Sequence, residues 1–347
     1  MRNKKLLLLM PDMDLIGGIE IYNKNFCESL DLHGYEYTLI DRKKGGILKK
    51  INFFISSLIR IFSLKYDFIV CGHLNYSVLL IIAKFFTNKN YSISVYGIEL
   101  INNKKFIQRK AIFYSKKLVY ISKYTHELLS QYPRQKTSEL FYLPSSVDDN
   151  VFKVIKNREE LKKKFDLFGK KVILTLSRLS QTEEKGQDRV LNALSLLGDE
   201  NFIYLIAGPG HDPRIEGAIE QNPNLKSRVV FLGSVNQKTK IELYNLCDLF
   251  ILPSKNEGFG IVFIEALSCG AKVISSNGFG CVEGLLDGNL GDFVDPDNIH
   301  EIASKVRDSL NDKEFSYKER LDLSKRSNEI YGREKWHIRV KQFLSQI

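Results

Sequence analysis

The stretch Leu249–Gly270 reads LFILPSKNEGFGIVFIEALSCG. A buried strand ends at Pro253, and a loop covers Ser254–Gly260. The pattern predicts a helix from about Gly260 to Cys269, with Gly270 as its stop. Ile261, Val262, Phe263, Ile264, Ala266 and Leu267 make that helix apolar on nearly every side, so it should be buried. Glu265 stands in its middle. A lone carboxylate there is costly unless something hydrogen-bonds to it, and a pair of ligand hydroxyls would do so. Gly258 and Gly260 flank Phe259 where the helix opens, which lets a ligand approach the backbone. The first amides of a helix are unpaired and its dipole favours an anion, so a phosphate fits at Gly260, Ile261 and Val262. Glu257 lies about one turn earlier. The expected ligand therefore places hydroxyls at Glu265, phosphate at the helix start and further hydroxyls at Glu257, the order of parts in a nucleotide diphosphate sugar. A structural alternative is a capping box at Ser254-x-x-Glu257, with Glu265 paired to a core arginine.

Outward from this stretch, both halves alternate short apolar runs with helical patterns, as parallel sheets covered by helices do. The first half offers strands at Lys5–Met10, Tyr37–Ile40, Asp67–Gly72, Ser92–Tyr96, Leu118–Ile121 and Glu139–Leu143. The second offers Val172–Ser177, Ile203–Ala207, Val229–Leu232, Leu249–Leu252 and Lys272–Ser275. The expected architecture is α/β, with two doubly wound Rossmann-like domains, 1–150 and 151–330, and a lone helix within 331–347. The join should fall near Pro144–Lys170, which is polar and carries the charge run Arg158–Lys164. Ligands of such sheets bind beyond the carboxyl ends of the strands, so an interdomain cleft is the expected site.

Other residues follow strands and point to the same chemistry. Arg178 and Lys185 come after Val172–Ser177; an arginine fork and a mobile lysine charge suit phosphate oxygens. Gly17 and Gly18 close the first loop and open the helix Ile19–His33, a second place where backbone can approach phosphate. Tyr96-Gly97-Ile98-Glu99 and His73 also follow strands; Tyr96, Glu99 and His73 are expected at the acceptor or sugar pocket. Asp12-Met13-Asp14 has metal-motif spacing but sits in the first loop and reads as a loop feature. No metal or cofactor is expected.

Apolar residues make up 44% and charged residues 27% of the 347, the mix of a folded globular chain. The five cysteines are scattered without a Cys-x-x-Cys pair, which suits a reducing cytoplasm. No apolar run reaches transmembrane length. Residues 1–155 hold 23 of the 51 Lys and Arg and 13 of the 41 Asp and Glu; the rest of the chain holds 28 of each. The formal charge of +10 thus sits on the first half. Arg42–Lys65 interleaves basic and apolar residues, and Lys104–Lys117 is a second basic stretch. Both suit an anionic membrane surface, at the inner face of the plasma membrane. The alternative for Arg42–Lys65 is an ordinary amphipathic helix with its apolar side inward. No nucleic-acid motif is present, although a non-catalytic polyanion-binding protein is the rival from another class.

Glu257 and Glu265, with seven residues between them in EGFGIVFIEALSCG, resemble the signature of retaining glycosyltransferases of the GT-B fold, family 4. LSRLSQTEEKGQDRVLNAL, LIAGPG, VVFLGSV, CDLFILPS and GLLDGNLGDFVDPDN add to the resemblance, which is strongest from Val172 to Val294. It implies a nucleotide-sugar donor, a glycan or lipid-linked acceptor, and retention of anomeric configuration. Arg178 and Lys185 would stabilise the departing diphosphate without a divalent metal. It also implies a glycine pair on the donor at Gly17-Gly18, a family serine at Ser122, a family glutamate at Glu283, and a final helix with Trp336 crossing back to the first domain. Many relatives carry histidine where Tyr96 stands. A nucleotide-sugar epimerase or a phosphorylase of the same fold is the enzymatic alternative.

Overall fold

Leu6–Leu9 have no exposed surface, and that run of leucines shows what the first sheet requires. A parallel strand covered on both faces has no polar side, so it reads as continuous aliphatic sequence. The computed structural model describes residues 4–15, 17–63, 65–101, 105–181, 184–198 and 201–347. The chain divides into two units, Met1–Ser146 with Glu334–Ile347, and Val147–Arg333.

The first unit alternates β1 (Leu6–Met10), α1 (Gly18–Leu32), β2 (Tyr37–Asp41), α2 (Ile47–Ile61), β3 (Phe68–Cys71), α3 (Ser77–Thr87), β4 (Asn90–Val95), α4 (Phe106–Tyr114), β5 (Lys117–Tyr120), α5 (Lys123–Ser130) and β6 (Glu139–Tyr142). Its six strands are parallel in the order β2-β1-β3-β4-β5-β6. The order reverses between β1 and β3. The final helix, α14 (Arg333–Ser345), contributes its residues from Glu334 to this unit. Trp336 donates its indole N–H to the Asn25 carbonyl at 3.0 Å and meets the Tyr22 ring edge-on.

The second unit contains α6 (Arg158–Lys164), β7 (Lys171–Leu176), β8 (Leu179–Ser180), α7 (Gln187–Leu194), β9 (Phe202–Ala207), β10 (Gly210–His211), α8 (Pro213–Gln221), β11 (Val229–Gly233), α9 (Gln237–Leu246), β12 (Leu249–Leu252), α10 (Ile261–Ser268), β13 (Lys272–Ser276), α11 (Cys281–Gly284), β14 (Asp292–Val294), α12 (Ile299–Asn311) and α13 (Tyr317–Tyr331). Its main sheet runs β11-β9-β7-β12-β13-β14, again parallel, and reverses between β7 and β12.

Every expected strand is present to within two residues at either end; the short strands β8, β10 and β14 are additional to them. Two readings of charge need correction. The run Arg158–Lys164 is the helix α6. Arg158 and Lys162, one turn apart, are both buried against Asp248, at 2.7 and 3.2 Å. Lys117, counted above with a basic surface, has no exposed side chain. It reaches Glu139 at 2.9 Å and Gln346 at 2.7 Å, beneath the rings of Phe141 and Phe343. Lys104 and Leu64 lie outside the described residues.

Candidate functional site

In an open parallel sheet the loops that leave adjacent strands on either side of a reversal diverge, and the gap between them takes ligands. In the second unit that gap lies beyond β7 and β12. Arg178 leaves β7 and is exposed. Lys185 follows in the same connection, and Gly186 then opens α7. Gly186 has φ +87°, and a Cβ there would sit 2.5 Å from the Pro253 carbonyl oxygen, so only glycine lets this connection pass the end of β12. The Lys255 amide donates to the Glu184 carbonyl at 2.9 Å, stitching the two loops together.

The result is a direct pair: Lys185 Nζ lies 2.9 Å from Glu257 Oε2, with side chains 16% and 19% exposed. Gly260 takes φ +82° as the residue before α10, and Gly258, Phe259 and Gly260 are buried. Ile261 and Val262, the first turn of α10, are only half-buried, and that turn carries no acidic side chain. Its amides precede the first intrahelical acceptor, so the ammonium of Lys185 and a positive helix end occupy one loop cluster.

Glu265 departs from expectation. It is 2% exposed and on α10 as foreseen, but it is not alone. Lys240 Nζ donates to Oε1 at 2.6 Å and Tyr244 Oη donates to Oε2 at 2.9 Å. Both come from α9, one turn apart, on the face that packs beside α10. The burial of Glu265 therefore does not by itself demand a ligand. Glu265→Gln keeps a partner for Tyr244 but leaves the Lys240 ammonium facing a neutral amide. The expected cost is about 1–2 kcal/mol, seen as a lower urea midpoint with no nucleotide present; an unchanged midpoint would return Glu265 to a role in binding alone. Phe259 is corrected too. Its ring is 2% exposed and packs edge-on against Tyr331, so only its backbone can meet a ligand.

In the first unit, Gly17 precedes α1 and Gly18 begins it, with no side-chain cap on the helix. Tyr96 does not line an open pocket. It is 7% exposed; its hydroxyl donates to the Gly72 carbonyl at 3.1 Å and accepts from Asn23 Nδ2 at 3.0 Å. Glu99 accepts from the Tyr96 amide at 2.7 Å and belongs to the local turn; burial raises its carboxyl above the usual range. Ser122 caps α5, accepting from the Thr125 amide at 3.2 Å. His73 does line a cleft, with Asp12, Arg42 and Asn75 among its neighbours. Burial, with Arg42 nearby, pushes its imidazole down to about 4, so it is uncharged at neutral pH. Its Nδ1 accepts from the Asn75 amide at 3.1 Å, so the ring proton sits on Nε2. Asp12 accepts from the amides of Asp14 and Lys44. Among the described residues no group of three His, Cys, Asp or Glu is placed to hold a metal, and no helix is long and apolar enough to cross a membrane.

Residues 157–329 match the family Glycosyl transferases group 1. The chain is 28% identical over 201 residues to a GDP-mannose-dependent alpha-(1-6)-phosphatidylinositol monomannoside mannosyltransferase of Mycolicibacterium smegmatis, covering 53% of this chain and 52% of that protein. It is 27% identical over 163 residues to an N,N'-diacetylbacillosaminyl-diphospho-undecaprenol alpha-1,3-N-acetylgalactosaminyltransferase of Campylobacter jejuni, covering 47% of this chain and 40% of that one. The chain thus spans about half the length of the curated relatives it matches. In fold it is similar to Anabaena HepE in complex with UDP and glucose, with TM-score 0.80 and 18% identity over 99% of this chain and all of that one. It is also similar to the sucrose-phosphate synthase of Thermosynechococcus elongatus, with TM-score 0.83 and 16% identity over 99% of each. The fold is GT-B, with two parallel-sheet α/β domains.

Proposed function

We propose that this chain, whose residues 157–329 match glycosyl transferases group 1, is a retaining family 4 enzyme. It moves a sugar from a UDP- or GDP-linked donor to a hydroxyl of a glycan or lipid-linked saccharide. The setting is bacterial cell-surface polysaccharide synthesis, on the cytoplasmic face of the membrane. The observation that carries this is the Lys185–Glu257 pair at 2.9 Å beside the open start of α10.

The bond between the anomeric carbon and the diphosphate oxygen breaks, and a bond from that carbon to the acceptor oxygen forms. The departing diphosphate takes the acceptor proton on the same face. Negative charge grows on the diphosphate, where Arg178, Lys185 and the amides of Gly260, Ile261 and Val262 offset it; such preorganised donors usually supply the largest part of a barrier reduction. These cations act in place of a divalent metal. Glu257 holds Lys185 in position and receives hydroxyls of the transferred sugar. Glu265 orients the nucleotide's hydroxyls while retaining Lys240. A panel of UDP- and GDP-sugars tests this. One donor should raise the melting temperature and release its nucleoside diphosphate fast only when a saccharide acceptor is present. Release that ignores acceptor, or epimerised donor, would refute it.

The membrane partner rests on α2. Phe53, Ser57 and Ile61 face inward at helical spacing, as the ordinary amphipathic alternative requires. Yet Ile47, Leu48, Ile51, Ile55 and Ile59 are exposed, with Lys49, Lys50 and Arg60 on the same helix. An exposed apolar stripe with basic flanks suits an anionic bilayer surface. Ile51→Asp with Ile55→Asp should weaken binding to phosphatidylglycerol vesicles at least ~10-fold. Equal binding by both proteins would remove the membrane role.

A further inference from the structure

The first unit has its own reversal of strand order, between β1 and β3. The loops leaving those strands wall a cleft of about 630 Å³, joined by the β2–α2 connection and by α2 itself. This is the strand-end position at which parallel sheets take ligands. Its cations are Arg42, Lys44 and Lys50. Among the described residues, none of the three has a carboxylate within ion-pair distance. Its carboxylates are Asp12 and Glu20. Asp12 is already engaged by the Lys44 and Asp14 amides and lies 3.9 Å from Lys43. His73 and Tyr76 are the remaining titratable rings on the wall; burial pushes the imidazole down and the phenol up, so both are uncharged at neutral pH. Positive charge therefore exceeds negative charge in the cleft. Phe53, Phe54 and Val78 give it an apolar side, continuous along α2 with the exposed Ile51 and Ile55.

An unpaired cationic group beside an apolar wall fits neither a plain sugar nor a plain alkyl chain. We infer that this cleft binds the phosphate of a lipid-borne acceptor, with Arg42, Lys44 and Lys50 on the phosphate and Phe53, Phe54 and Val78 against the first carbons of its chain. This rests on the transferase reading and deepens it: the acceptor saccharide is carried on a lipid phosphate or diphosphate, and α2 brings the cleft to the surface where such lipids lie.

The test uses the full-length protein, with octyl phosphate, inorganic phosphate and 1-octanol as calorimetric probes. Octyl phosphate should bind, and the other two should bind at least ~10-fold more weakly. Arg42→Gln with Lys50→Gln should weaken octyl phosphate ~100-fold while leaving the melting temperature unchanged, since among the described residues neither side chain holds a protein partner. Inorganic phosphate binding as tightly as octyl phosphate would mean a free-anion site. Full affinity in the double variant would place the site elsewhere. Either result overturns the inference. Titration of UDP and GDP into the same samples separates the two readings. A wild-type protein that binds octyl phosphate but neither nucleotide would refute the transferase reading and leave the phosphate cleft standing.

Discussion

Lys185→Ala is expected to lower turnover roughly 10²–10³-fold, the usual result of removing one donor from a site that stabilises developing negative charge. Lys185 is already aimed, by Glu257 at 2.9 Å and by the Gly186 turn against Pro253. Little reorganisation is then needed when the diphosphate departs. The pair is partly exposed, so its loss should cost the fold no more than about 1 kcal/mol. The split between large kinetic and small stability effects is the diagnostic. Steady-state rates beside thermal melts read both, and a variant that melts early but turns over normally would make the pair structural. Arg178→Ala should act on the same step, and the double variant should lose less than the product of the two single losses, because the proposed mechanism has both serve one leaving group.

The second large effect is on stability. Asp248→Ala should destabilise the second unit by about 3–5 kcal/mol. It leaves the buried Arg158 and Lys162 with only the part-exposed Glu314 and the carbonyls of Leu246 and Lys170, and removes the acceptor of the Val172 amide at 2.7 Å. Burial alone would raise the Asp248 carboxyl, but Arg158, Lys162 and the Val172 amide outweigh it and hold it below the usual carboxylate range. A depressed carboxyl stabilises the fold fully above its unfolded value, near 3.9 for aspartate. That contribution fades as pH falls through the lower folded value. Wild type should therefore lose stability in acid over that window, and Asp248→Ala should show a shallower loss there. Urea midpoints across pH, followed by a probe in the second unit, check both. Equal midpoints at neutral pH would show the cluster to be energetically idle.

Strand positions and strand-end loops were largely readable because aliphatic runs such as Leu6–Leu9 and Leu249–Leu252 have few other uses. Lys185 and Glu257 could be placed near one another because strand-end residues of a parallel sheet share one edge. The partner of Glu265 could not be read. Lys240 and Tyr244 sit on a helix that precedes β12, and periodicity tells which face of a helix is apolar, not which neighbouring carboxylate it meets. The Arg158–Lys164 run looked like a linker because charge usually means solvent. Its Arg158 and Lys162 lie one turn apart, which was the available sign of a shared buried partner. Tyr96 and Glu99 followed a strand as pocket residues do, yet their polar atoms are taken up by Gly72, Asn23 and local amides. Position after a strand is necessary for a site and not sufficient for one. The capping box of α13, Ser316 with Glu319, was present as a legible Ser-x-x-Glu.

Calorimetric titration of wild type, Lys185→Ala and Arg178→Ala with UDP and with GDP tests the second-unit site most directly. One nucleotide should bind wild type at one site per chain, and each variant should bind it roughly 10–100-fold more weakly. Absence of binding by both nucleotides, or equal affinity in all three proteins, would contradict a diphosphate held between Lys185 and the start of α10.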